Sequence, residues 1–178
     1  MLMARVADGD ARAFTALVGE LYGPALRHAV RTTGDCGEAE DALQTALTRL
    51  WTEARRFDPA RGSVGGWFRR IVVNACLDRR RRLRIVAPIE AAAHVASDLP
   101  TPYEASAANE RARRLAVALA ALNPRQRAAI TLFHGEGATM AEVAGALETT
   151  AKAVEGLLAR ARVELVRSLA GDRETRDE

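Results

Sequence analysis

The sequence predicts an all-α fold, two small helical domains joined by a flexible linker, and three observations carry that expectation. Apolar residues recur at helical spacing through nearly every segment, and no stretch alternates in the manner of a strand. Between residues 87 and 108 the periodicity stops: that stretch holds Pro88, Pro100 and Pro102, small residues and acids, and neither lysine nor arginine. The segments on either side each carry their own cap and turn signals. The expected boundaries are 1–86, 87–108 and 109–178, and halves of this size sit near the lower limit for independent stability.

In chain order, Phe14, Leu17, Val18, Leu21, Ala25, Ala29 and Val30 mark a first helix, expected to kink or divide at Gly23 and Pro24. From Glu38 to Ala54 the series Ala39, Ala42, Leu43, Ala46, Leu47, Leu50, Trp51 and Ala54 gives one buried stripe, with Leu50 and Trp51 mostly in the core. Asp35 and Glu38 have the spacing of a reciprocal cap. The run Asp58-Pro-Ala-Arg-Gly-Ser-Val-Gly-Gly is a loop, since proline and three glycines cannot continue a helix. Ser63 then caps a helix in which Trp67, Ile71, Ala75 and Leu77 face inward and which ends in the arginines of 79–84.

Beyond the linker, Leu115, Leu119 and Leu122 define a helix, and Asn123 before Pro124 opens the next. Thr139-Met-Ala-Glu142 is a capping box, followed by Val143, Ala144 and Leu147 on one side. Thr150 caps a last helix with Val154, Leu157, Leu158, Ala161 and Leu165 inward. This pair has the pattern of a helix-turn-helix, with Glu148 at the turn position glycine usually fills. An ordinary helical hairpin fits the same pattern.

The net charge is +3, yet residues 55–84 hold ten arginines against Asp58 and Asp78, so the rest of the chain carries −5. Positive charge gathered in this way favours a polyanion, because each neutralised phosphate releases counterions. No apolar run is long enough to cross a bilayer and the first ten residues lack a secretory pattern, so a soluble cytoplasmic protein is expected. Cys36 and Cys76 stand far apart and read as reduced, small buried residues. His28, His94 and His134 have no acid, thiol or second histidine at useful spacing, and there is no phosphate-binding glycine loop. No catalytic residue, metal site or cofactor is expected.

Taken in order, Ala39-Glu-Asp-Ala-Leu-Gln-Thr-Ala-Leu-Thr-Arg-Leu-Trp51, Phe57-Asp-Pro-Ala-Arg-Gly-Ser63, Trp67-Phe-Arg-Arg-Ile-Val-Val-Asn74 and Asp78-Arg-Arg-Arg-Arg82 resemble region 2 of the extracytoplasmic-function (ECF) sigma factors of the sigma-70 family. Leu122-Asn-Pro-Arg-Gln-Arg127 and the helix-turn-helix, ending Ala159-Arg-Ala-Arg162, resemble region 4. Each motif is weak alone; their order and spacing, with no room for a region 3, make the match.

The resemblance implies a transcription initiation factor whose partners are core RNA polymerase, met at the β′ clamp helices and the β flap, promoter DNA, and an anti-sigma factor. Asp41, Gln44, Thr45 and Arg49 would meet polymerase, with Thr45 standing where the family often has an acid. Phe57, Arg61, Trp67, Arg70, Asn74, Asp78, Arg79, Arg80, Arg81 and Arg82 would open and hold the minus-10 element. An edge-reading amide between apolar walls, with arginines on the backbone, suits a flipped base. Thr150, Ala151, Lys152, Glu155, Arg160 and Arg162 would lie on the minus-35 element. With one cation near the bases, recognition there is expected to depend on phosphate contacts and DNA shape. The rival reading is a helix-turn-helix regulator with a ligand- or partner-sensing N-terminal domain. It accounts for the C-terminal half equally well and leaves the arginine cluster and aromatic loop unexplained.

Overall fold

The computed structural model describes residues 2–86 and 107–174, with the side chains of 83–86, 107–111 and 171–174 left aside. Residues 87–106 of the expected linker, His94 among them, lie outside the described residues. The described elements are helices α1 (Leu2–Ala7), α2 (Ala11–Thr33), α3 (Cys36–Thr52), α4 (Val64–Val86), α5 (Ala107–Ala121), α6 (Pro124–Ile130), α7 (Met140–Ala146) and α8 (Ala151–Glu174), with two short 3-10 turns before α4. No strand occurs among the described residues. Helix α5 begins at Ala107, inside the stretch expected to be linker.

Helix α2 starts at Asp10, whose carboxylate accepts from the backbone N–H groups of Arg12 and Ala13 and pairs with Arg5 at 2.6 Å. It runs unbroken through Gly23 and Pro24, against the expected division. Buried Leu17 before that pair and buried His28, Ala29, Thr32 and Thr33 after it hold one helix to one core, and packing overrides local propensity. Gly34 ends it in the left-handed conformation, φ 78°.

Helix α3 lies against both α2 and α4. Its stripe of Ala39, Ala42, Leu43, Ala46 and Leu50 is buried, as the periodicity predicts. Asp35 accepts from the N–H of Glu38, but the Glu38 side chain is turned to Arg79 instead of closing a reciprocal cap. Trp51 keeps 37% of its surface exposed and meets Phe14 edge-on at 5.1 Å, so it is less of a core residue than expected. Cys36 is also exposed, whereas Cys76 is buried, and burial pushes that thiol's pKa up to about 12.

Ser63 accepts from the N–H of Gly66 and starts α4, which gives Phe68, Ile71, Val72, Ala75 and Cys76 to the first core. A second core gathers Leu122, Ala128, Ala129, Leu132, Ala138, Val143, Leu147, Val154, Leu158 and Ala161. Two residues of α4 join this second core: Val73 is fully buried within it and Leu77 packs on it. One helix therefore serves both cores through opposite faces, and α4 packs against α6 and α7 as well as α2 and α3.

Both capping boxes of the C-terminal half are formed, Asn123 with Gln126 and Thr139 with Glu142. Thr150 accepts from the N–H of Ala153 at the start of α8. Between α6 and α7 the chain takes a wide turn over Thr131–Gly135. Leu115, expected inward, is 46% exposed; Ala118 and Leu122 take the buried positions.

Candidate nucleic-acid interface

Helical spacing sets Trp67, Arg70, Asn74, Asp78 and Arg81 along one stripe of α4. The ring of Phe57, delivered by the turn before α4, lies 5.7 Å from that of Trp67 at an angle of 55°, both half-buried against the first core. Arg61 and Arg70 are exposed beside this aromatic pair, and Arg81 and Arg82 are exposed farther along. These residues provide an aromatic wall, an amide and unscreened cations along one line, the ingredients for holding a single strand.

Charges from α3 and α4 interlock where the two helices run together. Arg79 is hydrogen-bonded to Glu38 and lies 2.5 Å from Asp41, and Arg49 lies 3.7 Å from Asp78. The hydrogen bond from Arg79 to Glu38 raises the arginine's pKa further. Two expected polymerase residues, Asp41 and Arg49, are thus paired with two expected DNA residues, Arg79 and Asp78. Gln44 and Thr45 are exposed on the same helix, the Thr45 hydroxyl donating to the carbonyl of Asp41. Arg80 is half-buried and the Arg80 charge faces Arg127.

On α8, Thr150, Ala151, Lys152 and Glu155 are exposed at its start, but Lys152 is paired with Glu155 at 3.3 Å. Arg160 and Arg162 are exposed farther along, Arg162 beside His134 at 3.3 Å.

Five residues that sequence reasoning did not place in the site, Glu148, His28, Glu136, Arg69 and Arg127, join the two halves. Asn74 donates through Nδ2 to Glu148 Oε1 at 2.9 Å. Glu148 is the only described non-glycine residue with positive φ, 49°. Its position, where glycine is usual, was the one signal the sequence offered. His28 Nδ1 lies 2.5 Å from Glu136 Oε1, with Arg69 3.5 Å from the other carboxylate oxygen. This corrects the reading of His28 as a histidine without an acid. Burial works to raise the pKa of Glu136, but the His28 hydrogen bond and the charges of His28, Arg69 and Arg31 outweigh it, and the net shift is downward.

Arg127 is buried and donates to the carbonyl of Thr33, at 2.9 Å, and to that of Ala120, while its Nε finds no partner. Burial, and then the nearby charge of Arg80, lowers its pKa to about 10, so it stays charged at neutral pH.

Fold and surface define a two-part helical protein built to hold nucleic acid. A family model described as Sigma-70 region 2 matches residues 17–85, and one described as Sigma-70, region 4 matches residues 112–165. The RNA polymerase sigma factor CnrH of Cupriavidus metallidurans is 34% identical over 98% of this chain and 95% of its own length. The ECF RNA polymerase sigma factor SigM of Mycobacterium tuberculosis is 37% identical over 95% of this chain and 83% of its own. The solved structure of CnrH in complex with the cytosolic domain of CnrY superposes with a TM-score of 0.66 at 30% identity, covering 96% of each chain. RpoE of Bartonella quintana, solved with the anti-sigma factor NepR, shares the fold at a TM-score of 0.67 and 20% identity, over 90% of this chain and 98% of that one.

The chain belongs to the sigma-70 family and, within it, to the ECF RNA polymerase sigma factors. It is a transcription initiation factor that binds core RNA polymerase and promoter DNA, and not an enzyme. The match of region 2 to residues 17–85 removes the rival sensing-domain regulator. No described helix is long and apolar enough to cross a membrane.

Proposed function

We propose that this sigma factor works in the cytoplasm, docking the β′ clamp helices through Asp41, Gln44, Thr45 and Arg49 of α3 and opening the minus-10 element along α4. The observation that supports this division is the stripe Trp67, Arg70, Asn74 and Arg81, lined up with the Phe57 ring and adjoining the α3 face. Phe57 and Trp67 wall a flipped base, the Asn74 amide reads its edge, and Arg61, Arg70, Arg81 and Arg82 hold the backbone. Arg79 is held by Glu38 and Asp41 and adds field more than contact, and Arg80 is half-buried beside it.

Region 4 lies on the minus-35 element and at the β flap. Thr150, Ala151, Lys152 and Glu155 stand nearest the bases, and Arg160 and Arg162 on phosphates. With Lys152 paired to Glu155, shape readout outweighs base contacts there. The likeness to CnrH bound to the cytosolic domain of CnrY supports control by an anti-sigma factor. The test is run-off transcription with purified core polymerase on a genomic template pool. Defined start sites are expected, and Asn74→Ala should reduce open-complex formation more than polymerase binding. Equal losses in both would overturn the assignment of Asn74.

A further inference from the structure

The geometry points to the cleft lined by α2, α4 and the end of the wide turn before α7 as a binding site for a small phosphate monoester with a flat apolar body. The cleft measures about 340 Å³, room enough for a small organic molecule and far more than inorganic phosphate needs. Arg27 and Arg31 of α2 and Arg69 of α4 line it, and Glu136 is the one carboxylate among the described lining residues. With His28 neutral, three positive charges face one negative charge, and the surplus of two matches a phosphate dianion.

The donors in this cleft are unequally engaged. Both ring nitrogens of His28 are taken, Nδ1 by Glu136 and Nε2 by the Thr32 hydroxyl at 3.3 Å. Arg69 is held to Glu136 only at 3.5 Å. Among the described residues neither Arg27 nor Arg31 is hydrogen-bonded or ion-paired, and the Arg31 guanidinium reaches across to the turn, its Nη1 3.7 Å from where a Cβ on Gly135 would stand. Free guanidinium groups gathered at one concave place suit the paired oxygens of a phosphoryl group. Leu21, Ala25, Phe68 and Val72 supply an apolar lining on which a ring can leave water while its phosphoryl group stays with the arginines. Burial works to raise the pKa of Glu136, yet the surrounding positive groups lower it, as expected where the local field exceeds what one carboxylate offsets.

The test titrates the full chain with phenyl phosphate, inorganic phosphate and succinate at fixed ionic strength and slightly alkaline pH. Binding is read by calorimetry and by the rise in unfolding midpoint with ligand concentration. The variant is Arg27→Gln with Arg31→Gln, both at exposed positions that the fold does not depend on. A control, Arg12→Gln with Arg167→Gln, removes the same two charges from exposed positions outside the cleft.

Saturable binding of one phenyl phosphate per chain is expected, roughly tenfold tighter than inorganic phosphate because the ring adds apolar burial. The Arg27/Arg31 variant should lose about tenfold in affinity, and the control less than about twofold. Absence of saturable binding would overturn the site. Equal losses in variant and control would replace it with diffuse surface charge. If inorganic phosphate binds as tightly as phenyl phosphate, the apolar body falls from the proposal, and if succinate does, the phosphoryl chemistry falls with it.

Discussion

Gly34 shows how one position can join two regions. It has φ 78°, and a Cβ built there would lie 2.6 Å from an Arg127 nitrogen whose guanidinium is buried and hydrogen-bonded to Thr33. Gly34→Ala therefore combines backbone strain with displacement of a fixed cation. A loss of about 1–3 kcal/mol in chemical denaturation is expected, accompanied by loosening between the halves. Glu136 makes a pH prediction of defined sign. Its pKa is depressed from 4.5 in the folded chain, so its contribution is fully present above that value and is lost as pH falls through the folded value. Thermal unfolding of wild type and Glu136→Gln should differ at neutral pH and converge in acid. A gap that persists unchanged in acid would remove the pairing with His28, Arg31 and Arg69. None of this was legible in the sequence. Residues 28 and 136 are 108 positions apart, and only the tertiary fold brings them together.

At the level of elements, local physics was legible wherever a cap or a stripe is self-contained. The Asn123 cap before Pro124, the Thr139 capping box, the Ser63 cap and the α3 stripe all depend on neighbours within one or two turns. Asn123→Ala should cost about 1 kcal/mol in thermal denaturation, because α6 is short and its first N–H groups have no other partner. The division offered as one outcome at Gly23 and Pro24 was an inference from local rules that tertiary packing overrode. Space beside Gly23 is open, with only Arg27 at 3.5 Å from a built Cβ. Gly23→Ala is therefore expected to stabilise the chain by roughly 0.5–1 kcal/mol, read from the denaturation midpoint. No gain would mean that α2 needs glycine's freedom there. The opposite faces of α4 were half legible: Trp67, Ile71, Ala75 and Leu77 were expected inward, while Phe68, Val72 and Val73 were missed. A helix packed on two sides has no clean polar face from which to read its period.

For the whole molecule, the concentration of arginine in residues 55–84 was legible and indicated a polyanion before any fold was known. How many of those arginines are available to a polyanion was not legible, because Arg69 and Arg79 are committed to acids brought in from other parts of the chain. Arg61, Arg70, Arg81 and Arg82 remain exposed. If these four meet phosphates, the log–log salt dependence of single-strand binding should have a slope of about −3, and Arg81→Ala should flatten it by roughly 0.7. An unchanged slope in that variant would place Arg81 off the path of the strand.

The burial of Val73 in the second core has a consequence for how the chain is made. Synthesis delivers α4 from the ribosome before α6, α7 and α8, so the nascent C-terminal helices can condense on a valine already in place. A fragment beginning at Ala107 would lack that plug and keep a side-chain-sized hole, and should refold less cooperatively than the same segment in the intact polypeptide.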